Sequence, residues 1–114
     1  MAISEKGKRR LTVRNGRYLW YVFDKYDQTA FDGLQVMVTA QDRSLIVHYG
    51  IQQPDQSRTA VIRRGIRAPS VRMRCPQFET DDGTMTPHAT RKLIEWCLDE
   101  APQPRRPTNR RPDP

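Results

Sequence analysis

The stretch Leu11-Thr-Val-Arg-Asn-Gly-Arg-Tyr-Leu-Trp-Tyr-Val-Phe23 constrains this chain more than any other. Two runs of β-branched and aromatic residues flank the dipeptide Asn15-Gly16, the strongest short-range signal for a two-residue β-hairpin. Gly lacks a Cβ and Asn tolerates left-handed backbone, so the pair can supply both positive φ angles of a type I′ turn. With these two residues as the turn, Arg14 faces Arg17, Val13 faces Tyr18 and Leu11 faces Trp20. Side chains alternate along a strand, which puts Leu11, Val13, Tyr18, Trp20 and Val22 on one face, the expected core. The other face carries Arg10, Thr12, Arg14 and Arg17 together with Leu19, Tyr21 and Phe23. That second face is unusually apolar for a solvated one.

The remaining signals follow in order. The hairpin strands are expected over 9–14 and 17–23. A loop at 24–33 carries Asp24, Asp27 and Asp32, with Phe31 as the residue able to tuck back. A third strand at 34–40 sets Leu34, Val36 and Val38 against Gln35, Met37 and Thr39. A fourth, at 44–49, alternates Leu45, Val47 and Tyr49 with Ile46 and His48. Pro54 breaks a polar loop at 50–57. Val71, Met73 and Cys75 alternate with Arg72 and Arg74 in a half-buried strand pattern. Residues 59–64 make its antiparallel neighbour, and Gly65 and Pro69 punctuate the connection between them. An acidic loop at 77–85 holds Glu79, Asp81 and Asp82.

The helix that follows is equally clear. Thr86 is a good N-cap, and Pro87 suits the first helical position. Ala89, Leu93, Trp96 and Cys97 recur at i, i+4, i+7 and i+8, with Ile94, Leu98 and Ala101 widening the stripe. The fold expected is therefore α+β: an antiparallel β-meander of four to six strands with one C-terminal amphipathic helix packed on one face. Leu93, Trp96 and Cys97 should centre the stripe, laid on Leu11, Val13, Tyr18 and Trp20. One domain at 9–101 is expected between a flexible basic arm at 1–8 and a disordered tail at 102–114, where five of 13 residues are proline.

The succession of signals resembles a group of small bacterial proteins. In that group a strand reading Gly-Arg-x-Tyr-x-Trp-x-Val precedes a sheet meander and a terminal helix opened by Thr-Pro. The matching residues here are Gly16-Arg17-Tyr18-Leu19-Trp20-Tyr21-Val22 and Thr86-Pro87, with Tyr18 directly after Arg17. The resemblance covers roughly 11–100. It implies a fold and no activity, and it brings no functional residues with it.

Charge needs to be placed before it is interpreted. The net charge is +7. Residues 1–10 hold four basic side chains against Glu5, and residues 102–114 hold four against Asp113, so each end is +3. Residues 11–101 hold 12 basic and 11 acidic side chains. The body is nearly neutral, and the basic ends give at most weak, salt-sensitive attraction to nucleic acid. No run of about 18 apolar residues occurs, so no membrane span is expected. The N-terminal residues lack an apolar h-region, and the cytoplasm is the expected location.

Chemistry is sparse. Cys75 and Cys97 form no CxxC pair and read as small apolar side chains. With two histidines, His48 and His88, no four-ligand metal cluster is expected. No phosphate-cradling glycine loop is present, and no nucleophile or acid–base pair stands out. No catalytic residue, metal or cofactor is therefore expected. The leading expectation is a non-catalytic protein-interaction or homo-oligomerising domain using Leu19, Tyr21 and Phe23, the partner being another protein or a second copy. The alternative is binding of RNA or single-stranded DNA through Arg58, Arg63, Arg64, Arg67, Arg72 and Arg74, six arginines in a stretch without an acid. Tyr21 and Phe23 would then serve as stacking platforms.

Overall fold

A computed structural model describes residues 8–25, 31 and 33–101. The N-terminal arm up to residue 7, most of the 24–33 loop and the 102–114 tail lie outside the described residues. The elements are β1 (Arg9–Val13), β2 (Gly16–Lys25), β3 (Gly33–Ala40), β4 (Ile46–Gly50), β5 (Thr59–Arg63), β6 (Val71–Arg74) and α1 (Pro87–Glu100). The six strands form one sheet in sequence order, and every neighbouring pair is antiparallel. The α+β meander with one C-terminal helix is the fold. No helix among the described residues is long and apolar enough to cross a membrane.

The hairpin is where expected, but its register differs. Val13 pairs with Gly16, Leu11 with Tyr18 and Arg9 with Trp20. The turn residues are Arg14 and Asn15, with φ of 49° and 67°, and not Asn15 and Gly16. Gly16 serves another purpose: a Cβ there would lie 3.1 Å from Cε1 of Tyr18 and 3.3 Å from the Val13 carbonyl oxygen. The Tyr18 ring lies across the glycine, and that close approach selects the earlier turn over the turn with the better local propensity. Arg14, held in the left-handed region, reaches Asp99 of the helix with both terminal nitrogens, at 2.7 and 3.1 Å. Each residue's partner is displaced by two positions, an even step, so every side chain keeps its face.

The core lies between α1 and one face of the sheet. Val13, Tyr18, Trp20, Val36, Val38, Val47, Tyr49, Ala60 and Ile62 supply the sheet side. Val22 and Leu34, expected among the inward residues, are both 40% exposed. They sit on the helix-side face at the end of β2 and β3 where Val22 pairs with Val36 and Leu34 with Asp24.

The helix starts at the expected cap, with the Ala89 N–H donating to the Thr86 hydroxyl at 3.0 Å. Its buried stripe is Ala89, Thr90, Leu93, Ile94 and Cys97. Thr90 fits because its hydroxyl returns to the Thr86 carbonyl at 2.9 Å, leaving only the methyl to pack. Trp96, expected at the centre, is only partly buried and meets Phe78 edge-on at 6.0 Å. The stripe is thus turned towards Ile94.

The acidic loop hides one more departure. Glu79 is 4% exposed. Its carboxylate accepts from the Tyr49 hydroxyl and, at 2.8 Å, from the Gln52 backbone N–H. The Tyr49 oxygen in turn accepts from the Phe78 N–H at 3.2 Å. This bonded carboxylate pins the loop before α1 to the centre of the sheet, and burial together with Glu79 holds the Tyr49 phenol protonated well beyond its ordinary range.

Two substitutions test this packing. Leu93→Ala should cost about 2–5 kcal/mol of unfolding free energy. Trp96→Ala should cost less than the ~3–5 kcal/mol of a fully buried ring. Urea denaturation of the two variants should rank them in that order.

Candidate functional site on the open face of the sheet

Only one face of the sheet carries the helix. The register lines the other face in rows that run across the strands. One row is Arg10, Leu19, Thr39, Ile46 and Arg63; the next is Tyr21, Met37, His48, Val61 and Arg72. Beyond them lie Phe23, Gln35 and Gly50, and Thr59 opposite Arg74. An apolar and aromatic floor on β2 to β5 is thus flanked by Arg10 and Arg17 at the β1–β2 edge and by Arg63, Arg72 and Arg74 at the β5–β6 edge. No carboxylate stands on this face among the described strand residues.

Leu19, Tyr21 and Phe23 are all half-buried here. Strand alternation places Tyr21 and Phe23 side by side on β2, with ring centroids 5.4 Å apart and planes tilted by 35°. The Tyr21 hydroxyl reaches the Met37 sulfur at 3.3 Å, and His48 meets Phe23 edge-on at 6.3 Å. Lys8 brings its ammonium to 5.4 Å from the Tyr21 centroid. Phe31 does tuck back. Its ring covers Gly50, where a Cβ would lie 2.9 Å from Cδ1. Its carbonyl accepts from Gln35 Nε2 at 2.8 Å, and the Arg72 guanidinium stacks over the ring at 4.9 Å. Phe31 therefore extends the aromatic floor, at a place that the sequence alone does not fix. A depression of about 500 Å³ follows the hairpin, lined by Arg10, Thr12 and Leu19 of this face and by Leu11 and Tyr18 of the other.

The six arginines of 58–74 do not act together. Arg63, Arg72 and Arg74 stand on the open face. Arg58 does not: it is 7% exposed and held by Asp55 at 2.7 Å, the Gln53 carbonyl at 3.1 Å and Gln77 at 3.3 Å. Arg64 turns the other way and donates to the Cys97 carbonyl at 3.2 Å, meeting the helix C-terminus where a cation is favoured. Arg67 is exposed in the β5–β6 connection. Strand alternation explains the division: neighbours such as Arg63 and Arg64 leave the sheet on opposite sides. Arg10 and Arg17, left out of the expected set, belong to the site because cross-strand pairing brings them to it.

Reactive chemistry is weak at this surface and behind it. Burial pushes the Cys75 thiol up to about 11 and the Cys97 thiol up to about 12, so neither offers a thiolate at neutral pH. Burial lowers the pKa of His48, which keeps the imidazole neutral within the floor. A histidine with a depressed folded pKa binds its proton more tightly once unfolded, so stability falls as pH drops through the ordinary value of about 6.5. Urea midpoints at pH 7.5 and 5.5 should therefore separate more widely for the natural chain than for His48→Phe. No family model, curated protein or solved structure matches this chain, which leaves the chemistry of this face as the pointer to function.

Proposed function

We propose that this chain is a non-catalytic binding module whose working surface is the open sheet face and whose partner is an anionic macromolecule. One observation carries the reading. Five arginines share a face with half-buried aromatic and aliphatic side chains, and no described strand residue there is acidic. Of the acids of the near-neutral body, Asp81, Asp82, Glu95, Asp99 and Glu100 belong to the helix and the loop before it. A surface of one sign attracts a partner of the other and repels its own kind.

The same face also supports a second reading, self-association, because Leu19, Tyr21 and Phe23 form a contiguous apolar row. Two copies joined face to face around a two-fold axis would confront arginine with arginine, since such an interface is made of one patch twice. Charge therefore favours a different molecule over a second copy.

Light scattering at high concentration should report a monomer that Tyr21→Glu leaves unchanged. The full chain should bind heparin with an affinity that falls as salt rises. The double substitution Arg63→Glu and Arg72→Glu should weaken that binding by roughly tenfold or more, a loss of about 1.4 kcal/mol. A dimer that Tyr21→Glu dissolves, or heparin binding indifferent to the two arginines, would overturn the reading.

A further inference from the structure

Resting on that reading, we infer that the partner is single-stranded nucleic acid, bound with its bases on the Tyr21–Phe23 floor and its phosphates along the arginines, without regard to sugar. Charge alone would suit any polyanion, so the floor has to decide. It is not polar. Its centre is Tyr21, Phe23, Met37, Ile46 and Val61, with Thr39 and a neutral His48 among them and Phe31 at one end.

A duplex turns its phosphates outward and keeps its base faces stacked inside, so it would meet the arginines and leave this floor without a partner. A glutamate-rich peptide would supply charge but no flat apolar surface. An unpaired strand supplies both, since every base has a π-face and its backbone carries one charge per nucleotide. The Tyr21 and Phe23 ring centroids stand 5.4 Å apart. That is more than the roughly 3.4 Å rise per nucleotide of a stacked strand. The spacing therefore suits successive bases of a chain drawn out of its stack.

The basic edges fit the same arrangement. Arg72 lies four strand positions from Tyr21, roughly 19 Å across the sheet at about 4.8 Å per strand. Arg63 lies three from Leu19, roughly 14 Å. Indifference to sugar rests on two polar groups beside the rings. Gln35 Nε2 donates to the Phe31 and Gly33 carbonyls, and the Tyr21 hydroxyl is turned to Met37, so neither is set for a 2′-hydroxyl.

The test uses the full chain and fluorescence anisotropy with four labelled probes of matched charge: oligo(dT), oligo(rU), a DNA duplex and poly-glutamate. The two single strands should bind within a few-fold of each other and at least roughly tenfold tighter than the duplex or the peptide. Tyr21→Leu and Phe23→Leu keep apolar bulk while removing a π-face. Each should lose roughly five- to 150-fold on oligo(dT), the span of stacking on one aromatic ring, with heparin binding unchanged. Circular dichroism of each variant guards against misfolding. Equal binding of duplex or poly-glutamate, indifference to both leucine variants, or a tenfold preference for one sugar would overturn this inference while the anionic-partner reading stood. Failure of every probe and of heparin would remove that reading itself.

Discussion

A single helix has to cover a sheet of six strands, and most of the structure answers to that mismatch. Fourteen helical residues span about 21 Å, whereas six strands side by side span about 24 Å between the outermost axes. One helix can close one face at most. The buried stripe from Ala89 to Cys97 packs on one face of the sheet, and Val38, Val47 and Ile62 of that face are fully covered. Val22 and Leu34 remain exposed beyond it, and β6 is covered least, with Val71 36% exposed. Where the helix does not reach, other devices close the core. Glu79 anchors the preceding loop through Tyr49 and Gln52, and Met85 buries itself just ahead of the cap. A buried carboxylate is tolerable because both of its oxygens accept hydrogen bonds, which keeps the cost of removing it from water from being left uncompensated.

Arginine is used in two ways, and the distinction matters for function. Arg14, Arg64 and Arg91 hold the helix to the sheet: Arg14 through Asp99, Arg64 through the Cys97 carbonyl, and Arg91 through the Thr12 carbonyl at 2.9 Å. The Arg14 pair also keeps the Asp99 carboxyl below its ordinary pKa. Arg58 is consumed by its own loop. Arg9 lies over Trp20 on the helix side, whereas Arg10, Arg17, Arg63, Arg72 and Arg74, on the open face, are not needed to hold helix to sheet. A chain of net body charge near zero thus has a sheet face on which the described strand residues carry arginine and no acid.

The fold was legible wherever a pattern repeats along the chain. Alternation assigned Tyr18 and Trp20 to the core and Tyr21 and Phe23 to the open face, and Thr86-Pro87 marked the helix start. Properties set by tertiary contact were not legible. The hairpin register moved because Tyr18 lies on Gly16 and Arg14 reaches Asp99, two contacts that local propensity cannot foresee. Glu79 looked like any acid in a turn-rich loop, since its partners Tyr49 and Gln52 lie 30 and 27 residues earlier. The candidate site shows the same division. Its aromatic row could be read from one hairpin, whereas its charged border required the pairing of all six strands. A run of arginines in sequence was a poor guide, because adjacent residues of a strand point to opposite faces.

As the proposed binding surface, this face has to keep its apolar part in water. Leu19, Tyr21, Phe23, Met37, Ile46 and Val61 are each half-buried among their neighbours, and none is fully open. Arg72 lies over Phe31 and Lys8 over Tyr21, so long cationic side chains shield the rings they adjoin. A cation over a ring is a contact worth only about 0.5–1 kcal/mol at an exposed site. A base that displaced it would gain a π-face of its own, worth about 1–3 kcal/mol, and would release the cation to a phosphate. The same side chains can therefore cover the floor when it is empty and border it when it is filled. That exchange requires charge and aromatic rings on one surface, and this sheet provides both.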